Sequence, residues 1–421
     1  MKFFVIGGGS AGMLSAIFAA RNGAEVTLIE KNEKLGKKLY ITGKGRCNLT
    51  NCSGFDDYMA NVVSNKKFMF SSLKEFDAKR CMDFFESLGL PLKVERGNRV
   101  FPQSDKSSDV IKALQRELTR LNVDVRLNEK VTKINGDNGT ITSIVTDKNT
   151  YVPDKVLIAT GGVSYPATGS TGDGYNFAKK LGHNVIPSAP ALVGIKLKYG
   201  ITVHNKATIQ LSQLGKLQGL SLKNVNAKII DKNTNKVLFE EFGEMLFTAK
   251  GVSGPIILTL SSKINRRNLS SLRLSIDLKP ALNEQQLDNR IVRDFTQNSN
   301  KMLKNVLGLL VPSSLITPII NLSGINGEKF VNTITKVERK NLITSLKNLT
   351  FDLDDFEDIS TAIVTAGGID IKEINPKTMQ SKIIKNLYFA GEVIDVDALT
   401  GGYNLQIAFS TAYSVSKYIN E

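Results

Sequence analysis

Lys2-Phe3-Phe4-Val5-Ile6-Gly7-Gly8-Gly9-Ser10-Ala11-Gly12, continued by Met13 to Arg21 and by Glu25-Val26-Thr27-Leu28-Ile29-Glu30, is the stretch that decides the fold. Phe3 to Ile6 is a short apolar run bounded by glycine, which suits a strand buried on both faces of a parallel sheet. Gly7, Gly9 and Gly12 then stand in G-x-G-x-x-G spacing. Such spacing allows a tight turn, a close approach of backbone to a pyrophosphate, and close packing of the next helix on the strand. The small and apolar residues from Ala11 to Arg21 suit that helix, whose first amides, at Ser10 and Ala11, face the phosphates. Gly23 ends it. Glu25 to Ile29 predicts a second strand delivering Glu30, where an acid accepts hydrogen bonds from a ribose 2'-OH. A lone glycine motif is weak evidence. Strand, glycine turn, helix, strand and acid in this order predict a dinucleotide site, and the acid disfavours a 2'-phosphorylated cofactor.

The chain has 421 residues, enough for two or three domains, and its 41% hydrophobic and 23% charged content is that of a globular protein. No apolar run is long enough to cross a bilayer, and Met1 leads straight into the first strand, so a cytoplasmic location is expected. Three cysteines, Cys47, Cys52 and Cys81, do not make a disulfide framework. The two histidines, His183 and His204, stand at no ligand spacing with a cysteine, so no metal is expected. The net charge of +15 comes from lysine spread along the chain without a dense basic block. A compositional origin is therefore preferred to a nucleic-acid surface.

Strand and helix patterns alternate to about residue 190. Residues 191–280 show short alternating runs (Ala207 to Leu211, Ala227 to Ile230, Val237 to Phe239) that predict a small antiparallel barrel. Helical periodicity fills 281–355, and buried-strand and glycine-loop patterns return over 356–421. The expected architecture is α/β, a Rossmann-like nucleotide domain (1–190 and 356–421) interrupted by a barrel-like domain and a helical domain.

Two further loops bear on the cofactor. Leu157-Ile158-Ala159-Thr160-Gly161-Gly162 is a strand ending in a small-residue turn, and Leu387-Tyr388-Phe389-Ala390-Gly391-Glu392 repeats the form with a carboxylate. Together with the N-terminal turn they resemble the glutathione-reductase-type FAD fold, and no second G-x-G-x-x-G unit offers a separate nicotinamide domain. The resemblance then narrows. Gly43-Lys44-Gly45-Arg46-Cys47-Asn48-Leu49-Thr50-Asn51, Arg99-Val100-Phe101-Pro102, Gly169 to Tyr175, Gly243 to Thr248, Gly251 to Pro255, Thr365 to Gly368, and Ala390 to Asp395 through Gly401 to Gln406 are together similar to the YhiN/BaiN-type flavoproteins, which include aminoacetone oxidase-like and 3-dehydro-bile-acid-reductase-like members. What the resemblance implies is FAD and an oxidoreductase of unassigned substrate. One departure is Ala249-Lys250, where members of the family often carry His-Tyr, so no role is carried over to Lys250.

Residue roles follow from that resemblance. Gly7 to Gly12 cradle the pyrophosphate, Glu30 takes the adenosine ribose, Lys31 edges the adenine pocket, and Val131 pins adenine through its backbone. Gly43, Gly45 and Arg46 approach the flavin end, Gly391 and Glu392 meet the ribityl-phosphate stretch, the turn at Thr160 and Gly161 passes close to the cofactor, and Lys38, Thr42, Cys47 and Asn48 are further cofactor-binding candidates. Gly402, Tyr403, Asn404 and Gln406, opening the last helix, aim amides at the flavin pyrimidine. Arg46 and Tyr403 are the catalytic candidates: Arg46 to stabilise an anionic reduced ring or a substrate carbonyl or carboxylate, with a structural ion pair as the alternative, and Tyr403, like Tyr165, as a proton donor, with ring packing on the cofactor as the alternative. Cys47 and Cys52 in C-x-x-x-x-C spacing raise a dithiol reading, against which two idle thiols are preferred because no nicotinamide domain or thiol base accompanies them. His183 is expected at the surface or capping a helix. The expected activity is hydride exchange between flavin N5 and a small or medium organic substrate, of amine-oxidation or enone-reduction type, held beneath the inserted domain, with NAD(P)H, if used, visiting the flavin transiently. A flavin-containing RNA-binding or RNA-modifying protein and a non-turnover redox sensor are the alternatives.

Overall fold

The computed structural model describes residues 1–198, 202–203, 207–208 and 215–420. They form two compact units, Met1–Ala191 with Asp358–Glu421, and Leu192–Glu357.

The first unit is built on a five-stranded parallel sheet. Its strands are β1 (Lys2–Ile6), β2 (Glu25–Ile29), β3 (Asp124–Arg126), β4 (Lys155–Ile158) and β5 (Leu387–Phe389), in the spatial order β5, β4, β1, β2, β3. Ile6 sits beside Ile29 on one side and Ile158 on the other, and Ile158 beside Phe389. Four strands therefore end level, and the turns that follow them open on one edge. Phe3 and Val5 are wholly buried, each worth about 1.5–3 kcal/mol of burial. Because side chains alternate along a strand, Val5 meets the helix α1 (Ser10–Arg21) at Gly12, while Phe4 packs on Tyr151 from the hairpin sheet of Val131–Asp137, Thr140–Thr146 and Thr150–Tyr151. The C-terminal helix α2 (Tyr403–Lys417) lies against α1, where the Ser15 and Ser416 hydroxyls meet at 3.0 Å. The chain's last segment thus completes the domain that its first segment begins.

The second unit is a closed six-stranded barrel, running Ile195–Leu197, Gly251–Ser253, Val237–Phe247, Ser221–Asp231, Leu272–Asp277, Leu349–Phe356 and back to the first. Helices Glu284–Gln297, Ser313–Ser323 and Lys336–Lys347 come between two neighbouring barrel strands, and Asn283 and Thr335 start two of them with capping boxes. This differs from the expected helical domain over 281–355. Leu349, Phe351 and Leu353 are buried in alternation and close the barrel. The strand expected over Ala207 to Leu211 is described only at Ala207–Thr208, which pairs with Thr202–Val203; residues 209–211 and His204 lie outside the described residues.

Candidate functional site

The edge where the parallel strands end is where the candidate residues gather. Gly12 sits so close to the preceding turn that a Cβ there would stand 1.9 Å from the Gly7 carbonyl oxygen. The absent side chain is what lets α1 start on top of β1. Gly9, the residue before α1, offers no side-chain cap, and a Cβ built on it meets nothing within 4 Å. The first-turn amides, including those of Ser10 and Ala11, have no partners within the helix, so they face open space with the positive end of the helix dipole behind them. That combination suits a phosphate. Glu30, buried at the end of β2, accepts from the Gly8 amide at 2.7 Å and the Asn32 amide at 2.8 Å, which fixes its carboxylate beside the turn.

The turns after β4 and β5 converge on the same place. A Cβ at Gly7 would lie 2.6 Å from the Ala159 carbonyl oxygen, and one at Gly391 would lie 2.9 Å from the Ala11 side chain. The Glu392 Oε1 accepts from the Thr365 amide at 2.8 Å, Lys38 at 2.9 Å and the Ser164 hydroxyl at 3.1 Å. Its Oε2 accepts from Lys38 at 2.7 Å and keeps a lone pair for a hydroxyl. Lys38 also donates to Ser164 at 2.6 Å. The Thr160 hydroxyl and the Asn48 amide oxygen are buried without a partner among the described residues. Buried polar atoms are rarely left so, and both fit contacts to a bound molecule. Gly161 turns in the left-handed region beside the Ser170 hydroxyl.

The loop from Thr42 to Asn51 meets the start of α2. Thr42 donates to the Leu39 carbonyl at 2.7 Å, and Gly43, Lys44, Gly45 and Cys47 are all left-handed. Gly402 precedes α2 with φ 101°, and a Cβ there would stand 2.4 Å from the Thr50 carbonyl oxygen. α2 has no side-chain cap, so it too presents free amides. Asn404 braces the approach by accepting from the Ala398 amide at 2.9 Å and donating to the Ala398 carbonyl at 2.7 Å. The Tyr403 ring packs edge-on against Tyr58, with centroids 4.8 Å apart. Gln406 is fully buried and points into protein, bonding Thr50, Phe76 and Ser410.

Some expected residues are occupied elsewhere. The Arg46 guanidinium is paired with Glu95 and with Asp105 and lies 4.2 Å from the Phe101 ring centroid. These two carboxylates raise its pKa and hold it in an ion pair, the structural alternative to a place on the substrate or flavin. Lys31 bonds Thr171 at 2.5 Å and Asp173 at 2.6 Å. Val131 is buried at the start of the hairpin sheet. His183 caps its helix, its amide bonding the Ala178 carbonyl at 2.9 Å, but it is not at the surface: its side chain is buried, its Nε2 lies 2.7 Å from the Ser381 hydroxyl, and its ring meets Phe389 edge-on. Burial lowers its pKa. Ser164, Thr365 and Asn32, which hold the two carboxylates, were not expected. Thr365 lies in the Thr-Ala-Gly-Gly motif; Ser164 and Asn32 carry no local signal.

The thiols permit a test. Cys47 is fully buried and its thiol is pushed up to about 12 by burial, and Cys81 is likewise buried and raised, whereas Cys52 is exposed. A raised thiol pKa adds stability in full below the ordinary value of 9.0, and for Cys47 that contribution is lost as pH climbs from there toward about 12. Native protein at mildly alkaline pH is expected to alkylate at Cys52 only, and its urea midpoint to fall progressively above pH 9. Fast modification of Cys47, read by peptide mass spectrometry, would revive the dithiol reading.

Comparison with known proteins gives the arrangement its family. Residues 1–418 match the family described as HI0933-like protein Rossmann domain. The chain is 31% identical over 414 residues to the 3-dehydro-bile acid delta(4,6)-reductase of Clostridium scindens, covering 97% of this chain and 96% of that protein. It is also 31% identical over 417 residues to the ribosomal RNA dihydrouridine synthase of Escherichia coli, covering 98% and 96%. Among solved structures, the 3-ketosteroid delta1-dehydrogenase from Sterolibacterium denitrificans shares the fold, with TM-score 0.52 and 14% identity over 99% of this chain and 98% of that one. Among the described residues no helix is long and apolar enough to cross a membrane. With a nucleotide-binding sheet edge of this form and a family match over almost its entire length, the chain belongs to the HI0933-like family of FAD-dependent oxidoreductases.

Proposed function

We propose that this protein reduces a carbon–carbon double bond conjugated to a carbonyl, and that its substrate is a uridine base in ribosomal RNA. The observation that carries the choice of substrate is the net charge of +15. Lysine enrichment alone accounts for such a charge in composition, but beside a relative matched over nearly its whole length and named for ribosomal RNA it acquires a use, since a polyanion is drawn to a positive surface. Dihydrouridine formation and the reduction of a 3-oxo-Δ4 ring are the same kind of chemistry, hydride addition to the carbon β to a carbonyl and proton addition to the α carbon.

Bound FAD, once reduced, supplies the hydride. The residues of the chain position it. The open amides of Ser10, Ala11 and Gly12 take the pyrophosphate, Glu30 the adenosine ribose, and the free lone pair of Glu392 a ribityl hydroxyl. The left-handed loop at Gly43 to Gly45 and the amides opening α2 at Tyr403 face the isoalloxazine end. Arg46 shapes that loop from outside through Glu95 and Asp105. Tyr403 is the residue this reading assigns to place the proton. NADH or NADPH would be the reductant of this reading, giving up a hydride and leaving as the oxidised nucleotide.

The test is anaerobic incubation of purified protein with NADPH or NADH and transcribed, unmodified ribosomal RNA, followed by nucleoside mass spectrometry. Dihydrouridine accumulating beyond one equivalent per flavin is the expected result. The 31% identity to the Clostridium scindens protein favours a second reading, a steroid-like enone substrate. Turnover of a 3-oxo-Δ4 steroid with no dihydrouridine would select it.

A further inference from the structure

We infer that a lysine–phenylalanine stripe on the nucleotide-binding unit, Lys67, Phe70 and Lys74 with Lys66 beside them, is a stacking surface for single-stranded RNA. The inference rests on the reading of RNA as substrate given above. The turn Lys66–Met69 runs directly into the helix Phe70–Glu75, so residues 67, 70 and 74, three and four apart, share one face. The opposite face, with Phe68, Met69, Ser72 and Leu73, is buried.

A single exposed apolar side chain carries no message. Here several features coincide. Phe70 is 48% exposed, yet its ring is braced edge-on by Phe55, with centroids 5.3 Å apart and planes at 89°. The Lys74 ammonium lies 4.7 Å from the Phe70 centroid and 5.9 Å from that of Phe55. Lys66, Lys67 and Lys74 are exposed, and none pairs with a carboxylate among the described residues. The acidic neighbours are mostly committed: Glu75 bonds Lys417 at 3.0 Å and Tyr418 at 2.8 Å, and Asp77 caps the next helix at Arg80. Asp395 accepts from the Asn65 side-chain amide through its carboxylate at 2.9 Å, and Asp56 and Asp57, in the first turn of the helix that carries Phe55, favour that helix's N-terminus.

A half-exposed ring braced by a second ring, with cations unpaired by carboxylates on the same stripe, suits a ligand that is both flat and polyanionic. Single-stranded RNA is both, a base stacking on the ring while the lysines follow its phosphates. The stripe is also tied to the candidate site. Phe76, at the end of this helix, accepts from Gln406 of α2 at 2.7 Å, and Asn65, just before it, donates to the Asp395 carbonyl at 2.6 Å. RNA seated on the stripe is therefore anchored beside the segment that leads into Gly402 and Tyr403.

The test compares wild type, Phe70→Ala, Phe70→Trp and the triple variant Lys66→Ala/Lys67→Ala/Lys74→Ala, each checked for full FAD content so that folding is controlled. Binding of a labelled oligouridylate is measured across salt concentrations, and dihydrouridine formation on transcribed ribosomal RNA alongside. Phe70→Ala is expected to weaken binding at low salt about tenfold, with Phe70→Trp restoring it. The triple variant is expected to flatten the slope of log affinity against log salt by about 2, roughly 0.7 for each phosphate no longer neutralised by a lysine. If wild type binds and modifies RNA while all the variants match it, the stripe is overturned and the RNA reading stands. If Phe70→Ala matches wild type and only the lysine variant is weakened, a charge-only surface replaces the stacking surface, which also overturns it. If wild type neither binds nor modifies RNA, the RNA reading itself fails.

Discussion

Gly12→Ala is expected to strip the protein of FAD. The new methyl group would stand 1.9 Å from the Gly7 carbonyl oxygen and 3.3 Å from the Val5 side chain, and neither can yield cheaply. The Gly7 carbonyl belongs to the turn whose amide is anchored to the Ile29 carbonyl at 2.9 Å, and Val5 is wholly buried in the middle of the sheet. Relief comes only by lifting the start of α1 off β1, at a cost of at least about 1–3 kcal/mol. The amides that face the phosphates move with it, so affinity falls further than stability. We expect the flavin-to-protein ratio to drop at least about tenfold, read from the visible absorption of purified protein. Gly9→Ala is the companion. Its Cβ meets nothing within 4 Å in the protein itself, so the fold and the urea midpoint of the apoprotein should be unchanged while FAD binding weakens, because the methyl group takes space meant for the pyrophosphate. A Gly12→Ala protein that purifies yellow with a full complement of FAD would mean that α1 does not start where the sheet and the glycines put it.

The contrast between these two glycines shows what a sequence can and cannot reveal. The spacing of Gly7, Gly9 and Gly12 is local, and so are the apolar runs around it; β1, α1 and β2 are accordingly legible almost to the residue. The turns after β4 and β5 are legible for the same reason, being strand runs cut off by small residues. Partners far away in sequence are not. Arg46 has the right chemistry for a flavin neighbour, but Glu95 and Asp105, which claim its guanidinium, lie 49 and 59 residues on. His183 ends a helix and reads as exposed, until Ser381, 198 residues later, closes over it. Leu349, Phe351 and Leu353 alternate as a strand should, but the barrel they close is defined by pairing with Leu272–Asp277 and Ile195–Leu197, across a run of helices. Local pattern fixes an element's type; burial and charge pairing are set by whatever the fold brings back to it.

Gln406 is the sharpest instance, and replacing it by leucine is expected to cost stability rather than cofactor. By its place in the run that opens α2 it resembles a residue aimed at the flavin. In the structure its side chain is wholly buried, accepts from the Thr50 hydroxyl at 2.6 Å, and donates to the Phe76 carbonyl at 2.7 Å and the Ser410 hydroxyl at 3.0 Å. It ties the Thr50 loop, the end of the helix Phe70–Glu75 and α2 to one another. Leucine leaves the Thr50 hydroxyl without its acceptor, whereas the Phe76 carbonyl keeps the Ser410 hydroxyl at 2.6 Å, so the loss is about one orphaned group and the bonds of the hub, roughly 2–3 kcal/mol. That loss should appear as a lower urea midpoint in apoprotein and holoprotein alike, with the FAD dissociation constant changed by less than about threefold, because every polar atom of the side chain is already spent on protein. Thr50→Val should show strong coupling to Gln406→Leu in a double-mutant cycle, since each removes the other's partner. The opposite pattern, an unchanged apoprotein midpoint with FAD binding weakened tenfold or more, would place the amide on the flavin and break the hub as described.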